Sequence, residues 1–260
     1  MNVRWNASGF ARWGRWNVLL LELLVFVLIW EWVAAQLGEP ALPPPSAVLR
    51  EFWHERAILW RHLLVSARRV LLSVAFSIGI GAPLAILAAS SPKLDRALSP
   101  LFYFFHPVPK VVFLPILLLL VGLGEDSKLL LMTAILVFQI YVIVRDAAKQ
   151  VPAQTLDSMA SLGADRWQLL RFVYVPVSLP AIVTALKVSV AIAIAVLYIA
   201  EQTGSLEGLG AYIKNQFQMV QYAKVYSGAL AMSALGLAGF ALLSVLESRV
   251  TRWQRIELED

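Results

Sequence analysis

Long apolar runs separated by short polar segments dominate this sequence of 260 residues. A helix needs about 20 mostly apolar residues to cross roughly 30 Å of hydrocarbon. Six stretches qualify, so the pattern predicts an all-α polytopic membrane protein with about six transmembrane helices. The predicted spans are residues 17–37, 63–89, 98–122, 129–144, 178–200 and 226–246, within a single transmembrane domain over residues 1–260.

The composition supports a membrane protein. Hydrophobic residues make up 59% of the chain and charged residues 15%, against about 45–50% and 25% in soluble globular domains. The formal net charge is +5, but the charges fall between the apolar stretches. That distribution indicates positively charged loops beside a bilayer rather than a nucleic-acid surface. We therefore expect membrane lipids around the chain and no nucleic-acid partner.

Lysine and arginine counts predict the orientation. With the N-terminus inside, the inner segments hold 12 of these residues and the outer segments hold 6, and cytoplasmic loops carry the excess. Both termini are therefore predicted to be cytoplasmic. Arg4, Arg12 and Arg15 followed by Val33–Ala35 resemble a cleavable signal peptide, but the apolar run is long for one, which favours an uncleaved anchor.

Motifs for chemistry are missing from the sequence. It contains no P-loop, no His-Glu-x-x-His pair, no Gly-x-Ser-x-Gly elbow and no cysteine. The histidines His54, His62 and His106 stand far apart. We expect no catalytic residues, no metal site and no cofactor bound by this chain, and hence no enzyme activity of its own.

The polar segment 146–177 is the longest between two spans on the predicted cytoplasmic side. Its pattern predicts two short helices broken at Gly163, with Pro176 and Pro180 ending the unit and beginning the next span. From the residues alone, two interpretations are open. The segment could lie on the membrane surface, or it could dock a soluble partner.

Residues Asp157–Pro180 resemble the "EAA" loop of bacterial ABC importer permeases. The similarity lies in Leu162-Gly163-Ala164, in Pro176 and in Leu179-Pro180, whereas Asp157-Ser158-Met159 stands where the family has Glu-Ala-Ala. Other segments between Leu42 and Trp253 are similar to the nitrate, sulfonate and taurine branch of that family. They include Leu42–Val48, Arg61–Arg69, Pro107-Val108-Pro109, Gly122–Lys128, Ala200-Glu201 and Gly208-Leu209-Gly210.

This resemblance implies a permease subunit of a binding-protein-dependent importer in the bacterial inner membrane. Two copies would form a homodimeric pore for a small polar solute, either a nitrate-, sulfonate- or taurine-like anion or a heterocycle like a vitamin precursor. Two ATPase subunits carrying ATP and Mg²⁺ would bind the loops, and a periplasmic or lipid-anchored substrate-binding protein would dock outside. The residues that would couple to the ATPase are Asp157, Ala160, Leu162, Gly163 and Trp167.

Charged residues near the spans are candidates for the translocation pathway, because charges at depth usually face a cavity or a bundle interior. Lys110 follows His106 and Pro109, where prolines break a helix and free carbonyls that protein or water must satisfy. This segment either lines the pathway or is a kinked packing helix. Lys187 lines the pathway or snorkels, and Glu201 either gates the outer mouth or pairs with a cation of a partner copy.

Arginines and small residues in the predicted span 63–89 allow further interpretations. Arg68 and Arg69 either snorkel near the outer end or face the interior, and the small residues Ser77, Gly81 and Ala85 indicate close helix packing. A stand-alone secondary transporter or channel is the alternative function. It would call for inverted repeats or an intramembrane coupling carboxylate, and the sequence shows neither pattern.

Overall fold

The computed structural model describes residues 8–38 and 40–250. Arg4 and both predicted cytoplasmic termini lie outside these ranges. The described residues form α-helices and no strand, which confirms the all-α prediction. The helices are α1 (Ser8–Leu37), α2 (Pro45–His54), α3 (Arg56–Ser90), α4 (Pro92–Phe105), α5 (Leu114–Val121), α6 (Glu125–Ala148), α7 (Ala153–Ser161), α8 (Arg166–Leu169), α9 (Val175–Gln202), α10 (Leu209–Gln218) and α11 (Tyr222–Val250).

Among the described residues, five helical segments are long and apolar enough to cross a membrane. They are Leu20–Leu37, Arg56–Ser90, Glu125–Ala148, Arg166–Gln202 and Tyr222–Arg249, and the bent pair α4–α5 makes a possible sixth. These segments match the positions of the six predicted spans. The short helices α2 and α10 lie between spans.

The third predicted span is not one straight helix. After α4, a 3₁₀ turn at Lys110–Phe113 leads into α5, and the two halves are bent by 84°. Pro107 and Pro109 lie between them and have no backbone N–H to continue the helical ladder. The chain therefore turns sharply at the proline pair.

The predicted loop 146–177 is shorter in the structure. The helix α6 continues to Ala148, and α8 runs through a π turn (Leu170–Tyr174) directly into α9. Pro176 lies in the first turn of α9, at the beginning of the span as expected, but no break in the helix separates it from α8. The N–H of Val175 donates to the carbonyl of Leu170, and this wider turn carries the helix into Pro176 without a break.

Three helices, α3, α6 and α9, form the centre of the bundle. One apolar cluster, including Leu131, Leu197 and Tyr212, lies toward α10, and a second, including Ile140 and Tyr174, lies toward α7. We call these two ends of the bundle the α10 end and the α7 end. The helix α1 lies at the edge, where Glu31 accepts hydrogen bonds from the amide (3.1 Å) and hydroxyl (2.7 Å) of Ser46 at the start of α2.

The predicted small-residue stripe on α3 is at a helix contact. Ser77 and Ala85 are fully buried, and a Cβ added to Gly81 would lie 3.1 Å from the carbonyl oxygen of Val137 on α6. The small side chains thus let α3 and α6 approach closely, which confirms the packing interpretation.

We expect Gly81→Leu to destabilise the bundle by about 1–3 kcal/mol, because the added side chain must displace the α6 backbone. The measurement is thermal unfolding in detergent. Gly79→Leu is the matched control, since a Cβ at Gly79 meets nothing within 4 Å. Equal melting temperatures for the two variants would contradict a close α3–α6 contact.

Candidate functional site

The turn between α7 and α8 presents all five predicted coupling residues to the outside. Asp157, Ala160 and Gly163 are exposed, and the side chains of Leu162 and Trp167 are 82% and 65% exposed. Two large apolar residues exposed on one short polar segment are unusual unless something covers them. The turn therefore has the character of a docking surface.

Local hydrogen bonds make this turn rigid. At the end of α7, the amide of Ala164 donates to the carbonyl of Met159 (3.0 Å) and that of Gly163 to Ala160 (2.9 Å). This is a Schellman motif, and it needs the positive φ of +78° that Gly163 adopts. At the start of α8, Asp165 and Gln168 form a reciprocal capping box.

At the helix break, the Lys110 ammonium donates to three carbonyl oxygens. They belong to Phe105 (2.6 Å), His106 (3.1 Å) and Val108 (3.3 Å). The Phe105 carbonyl also accepts from the amide of Val108 at 3.2 Å; the other two leave the helical ladder at the bend, and inside a bilayer they need a donor. Lys110 therefore stabilises the break, a role that neither of the two interpretations of this segment contained.

The same segment lines a cavity of about 260 Å³. His106, Pro109 and Lys110 lie on one side of it, and residues of α6 and α9 lie on the other. The structure thus brings three of the five pathway candidates together. It adds Gln139 of α6, which sequence analysis missed. The only available signal was an amide in the middle of an apolar span.

The other two pathway candidates lie elsewhere. Lys187 of α9 donates to a carboxylate oxygen of Glu247 on α11 at 2.7 Å and stands over the ring of Phe240. Glu201 is fully buried at the α10 end. Neither residue lines the cavity at the helix break.

Glu201 belongs to a buried ion cluster within this chain. Its carboxylate accepts from the guanidinium of Arg69 (2.6 Å), the hydroxyl of Ser66 (2.8 Å) and the amide of Gly210 (2.7 Å). Of the two interpretations of Glu201, the one with an ion pair placed the cation on a partner copy; the structure places a cation, Arg69 on α3, within the same chain.

Arg69 joins four parts of the fold. Its guanidinium also donates to Glu125 at the start of α6 through Nε (2.8 Å) and to the backbone carbonyl of Glu207 (2.8 Å). Only 2% of Arg69 is exposed. Its side chain therefore faces the interior of the bundle and does not snorkel to the membrane surface. A Cβ at Gly208 would lie 2.3 Å from the Glu201 carboxylate, so the glycine is required beside the cluster.

Groups around this cluster also fix the loops at the α10 end. Lys128 is buried and donates to the carbonyls of Leu123 (3.0 Å) and Gly124 (2.9 Å). The ring of His62 accepts from the amide of Gly208 at 3.0 Å. Nearby on α10, burial raises the pKa of Tyr212 to about 12, so this hydroxyl stays neutral.

A second ion cluster holds the α7 end together, and it was not predicted. Arg145 of α6 donates to both carboxylate oxygens of Asp95 on α4 at 2.7 and 2.8 Å. Lys149 also contacts Asp95. The cluster ties the first half of the bent span to α6 beside the exposed turn.

Comparison with known proteins gives consistent matches. The family described as "Binding-protein-dependent transport system inner membrane component" matches residues 81–252. The taurine transport system permease protein TauC of Escherichia coli is 30% identical over 240 residues, covering 89% of this chain and 87% of TauC. The formylaminopyrimidine transport permease protein ThiX of Halalkalibacterium halodurans is 28% identical over 237 residues, covering 90% of this chain and 95% of ThiX.

A solved structure shows the same fold. A chain of the MetNI methionine ABC transporter in an inward-facing conformation superposes with a TM-score of 0.64 and 21% identity. The match covers 76% of this chain and 98% of that chain.

We expect Arg69→Met to cost about 3–5 kcal/mol of stability, because it leaves the buried carboxylate of Glu201 without its partner. Thermal unfolding in detergent measures the loss. The control is Arg61→Met, since the Arg61 side chain is 80% exposed and its ion pair with Glu207 spans 3.6 Å; such exposed pairs contribute at most about 1 kcal/mol. A similar melting temperature for both variants would show that the buried cluster does not stabilise the fold.

Proposed function

This chain belongs to the family of binding-protein-dependent transport system inner membrane components and is an ABC importer permease. From that premise we propose that two copies form the translocation pathway and that the α7–α8 turn couples it to two ATPase subunits. The observation that carries the coupling is the exposure of Leu162 and Trp167 on a rigid turn. The alternative of a stand-alone secondary transporter or channel is not supported, because the relatives are named as permeases of transport systems.

The proposed coupling site has the two properties that force transmission requires. A docking element must be stiff and must join a membrane helix directly. The Schellman motif and the capping box provide the stiffness, and α8 runs through the π turn into α9. Movement of a bound ATPase would therefore reach a transmembrane helix without an intervening flexible loop.

The proposed energy source is a separate protein. The sequence lacks a P-loop, so ATP and Mg²⁺ would bind on the ATPase subunits and not on this chain. A substrate-binding protein, periplasmic or lipid-anchored, would deliver the solute at the α10 end. In that arrangement the α7 end and both termini face the cytoplasm of a bacterial cell.

The proposed cargo is a small polar solute. The relatives are named for taurine and for a formylaminopyrimidine, and the cavity of about 260 Å³ at the helix break is small. Both a sulfonate-like anion and a small heterocycle belong to this class.

Leu162→Ala is expected to weaken ATPase binding about tenfold, because it removes an apolar anchor from the docking surface. The measurement is the affinity of the purified permease for its ATPase. Leu206→Ala is the control, since Leu206 is 90% exposed but lies at the opposite end of the bundle. Unchanged ATPase affinity in the Leu162 variant would reject this turn as the coupling site.

Gly163→Val is expected to uncouple transport without preventing membrane insertion. A side chain at φ +78° costs about 1–2 kcal/mol in the left-handed region, so the turn loses its fixed shape. The measurement is solute uptake per ATP hydrolysed in proteoliposomes. Gly38→Val carries the same kind of backbone strain at φ +59°, away from the turn, and should transport normally. Equal coupling in the two variants would count against the role of Gly163.

A further inference from the structure

The cavity at the helix break holds a positive charge without a carboxylate partner. Arg69, Arg145 and Lys187 each form an ion pair with an acidic side chain. Lys110 forms none among the residues that the structure describes, and its ammonium instead contacts backbone carbonyls and the ring of Phe138 at 4.5 Å. Carbonyl groups are dipoles and aromatic rings are quadrupoles, and neither carries a net charge. The positive charge of Lys110 therefore stays uncompensated.

The hydrogen-bond donors of this charge are already in use. A protonated lysine has three N–H donors, and three carbonyl oxygens accept from Lys110. An anion in the cavity would therefore feel the charge of Lys110 without replacing its hydrogen bonds. Such an anion is attracted but not trapped, which suits a site that a solute must enter and leave.

Gln139 provides the free hydrogen-bonding group. Its half-buried side chain lines the cavity opposite the break, and it makes no hydrogen bond within the part of the chain that the structure describes. An amide carries two donors and an acceptor, and leaving them unsatisfied inside a membrane costs several kcal/mol. The amide therefore requires water or a solute in the cavity.

We propose that this cavity is a transit site for an anionic group of the transported solute, in which Lys110 supplies the charge and Gln139 the hydrogen bonds. The inference rests on the proposed importer function and narrows its cargo. The volume of about 260 Å³ lies below the roughly 300–1,000 Å³ of sites for drug-sized ligands. It accommodates a sulfonate- or carboxylate-sized group, and the uncompensated charge favours that group over a neutral heterocycle.

The test uses the absence of cysteine from this chain. Gln139→Cys makes residue 139 the only thiol of the permease, in the assembled complex with its ATPase subunits in liposomes. The thiol is labelled with 2-sulfonatoethyl methanethiosulfonate, an anionic sulfonate, or with its trimethylammonium analogue, a cation. We expect the ratio of anionic to cationic labelling rates to fall about tenfold when Lys110→Gln is added, because the local potential is lost.

Two controls make the result specific. Lys110→Arg retains the charge and should keep the ratio, which separates the effect of charge from that of a disturbed helix break. Gln218→Cys replaces an exposed residue of α10. Its ratio of anionic to cationic labelling rates should be the same with and without Lys110→Gln.

Different results would contradict the transit site and the proposed coupling function. No labelling of the thiol at position 139, with or without ATP and Mg²⁺, would overturn the transit site, and so would a ratio that is insensitive to Lys110→Gln. The same preparation is analysed for co-purified ATPase. Its absence would count against the proposed coupling function, whereas its presence with a negative labelling result would reject the transit site alone.

Discussion

Where this chain leaves a helix, backbone carbonyls lose their helical donors, and inside a bilayer no water replaces them. At the break between α4 and α5, Lys110 supplies the donors. In the turn before α6, Lys128 donates to the carbonyls of Leu123 and Gly124. Before α10, Arg69 donates to the carbonyl of Glu207. Lysine and arginine side chains thus hold the non-helical backbone at each of these places.

Both ends of the bundle contain an ion cluster. At the α10 end, the cluster around Arg69 joins α3, α6, α9 and the loop before α10. Its two carboxylates, Glu125 and Glu201, are balanced within the chain by Arg69 and the nearby Lys128. At the α7 end, the cluster of Asp95 and Arg145 stabilises the helices, but the α7–α8 turn beyond it is exposed. Each end therefore combines an internal ion cluster with exposed apolar residues, Leu206 at the α10 end and Leu162 and Trp167 at the α7 end.

Sequence reasoning reached the features that depend on local pattern. Hydrophobic length located the spans, the small residues on α3 located the contact with α6, and the glycine in Leu162-Gly163-Ala164 located the end of α7. It could not find features that depend on distant partners. Arg69 and Glu201 are 132 positions apart, and nothing local distinguishes their pairing from a contact with a second copy. Gln139 was missed because its meaning comes from a cavity formed by three separate elements.

The continuity of α8, the π turn and α9 has a mechanical consequence. Together they form one rod of 37 residues, about 55 Å long at 1.5 Å per residue. Its far end is anchored, because Glu201 is held by Arg69, Ser66 and Gly210. In the proposed coupling, a push on the near end would therefore turn the rod together with the helices to which it is bonded. The winding departs from that of an α-helix in the π turn at Leu170–Tyr174, and Pro180 removes one N–H from the ladder, so bending is easiest at these two places.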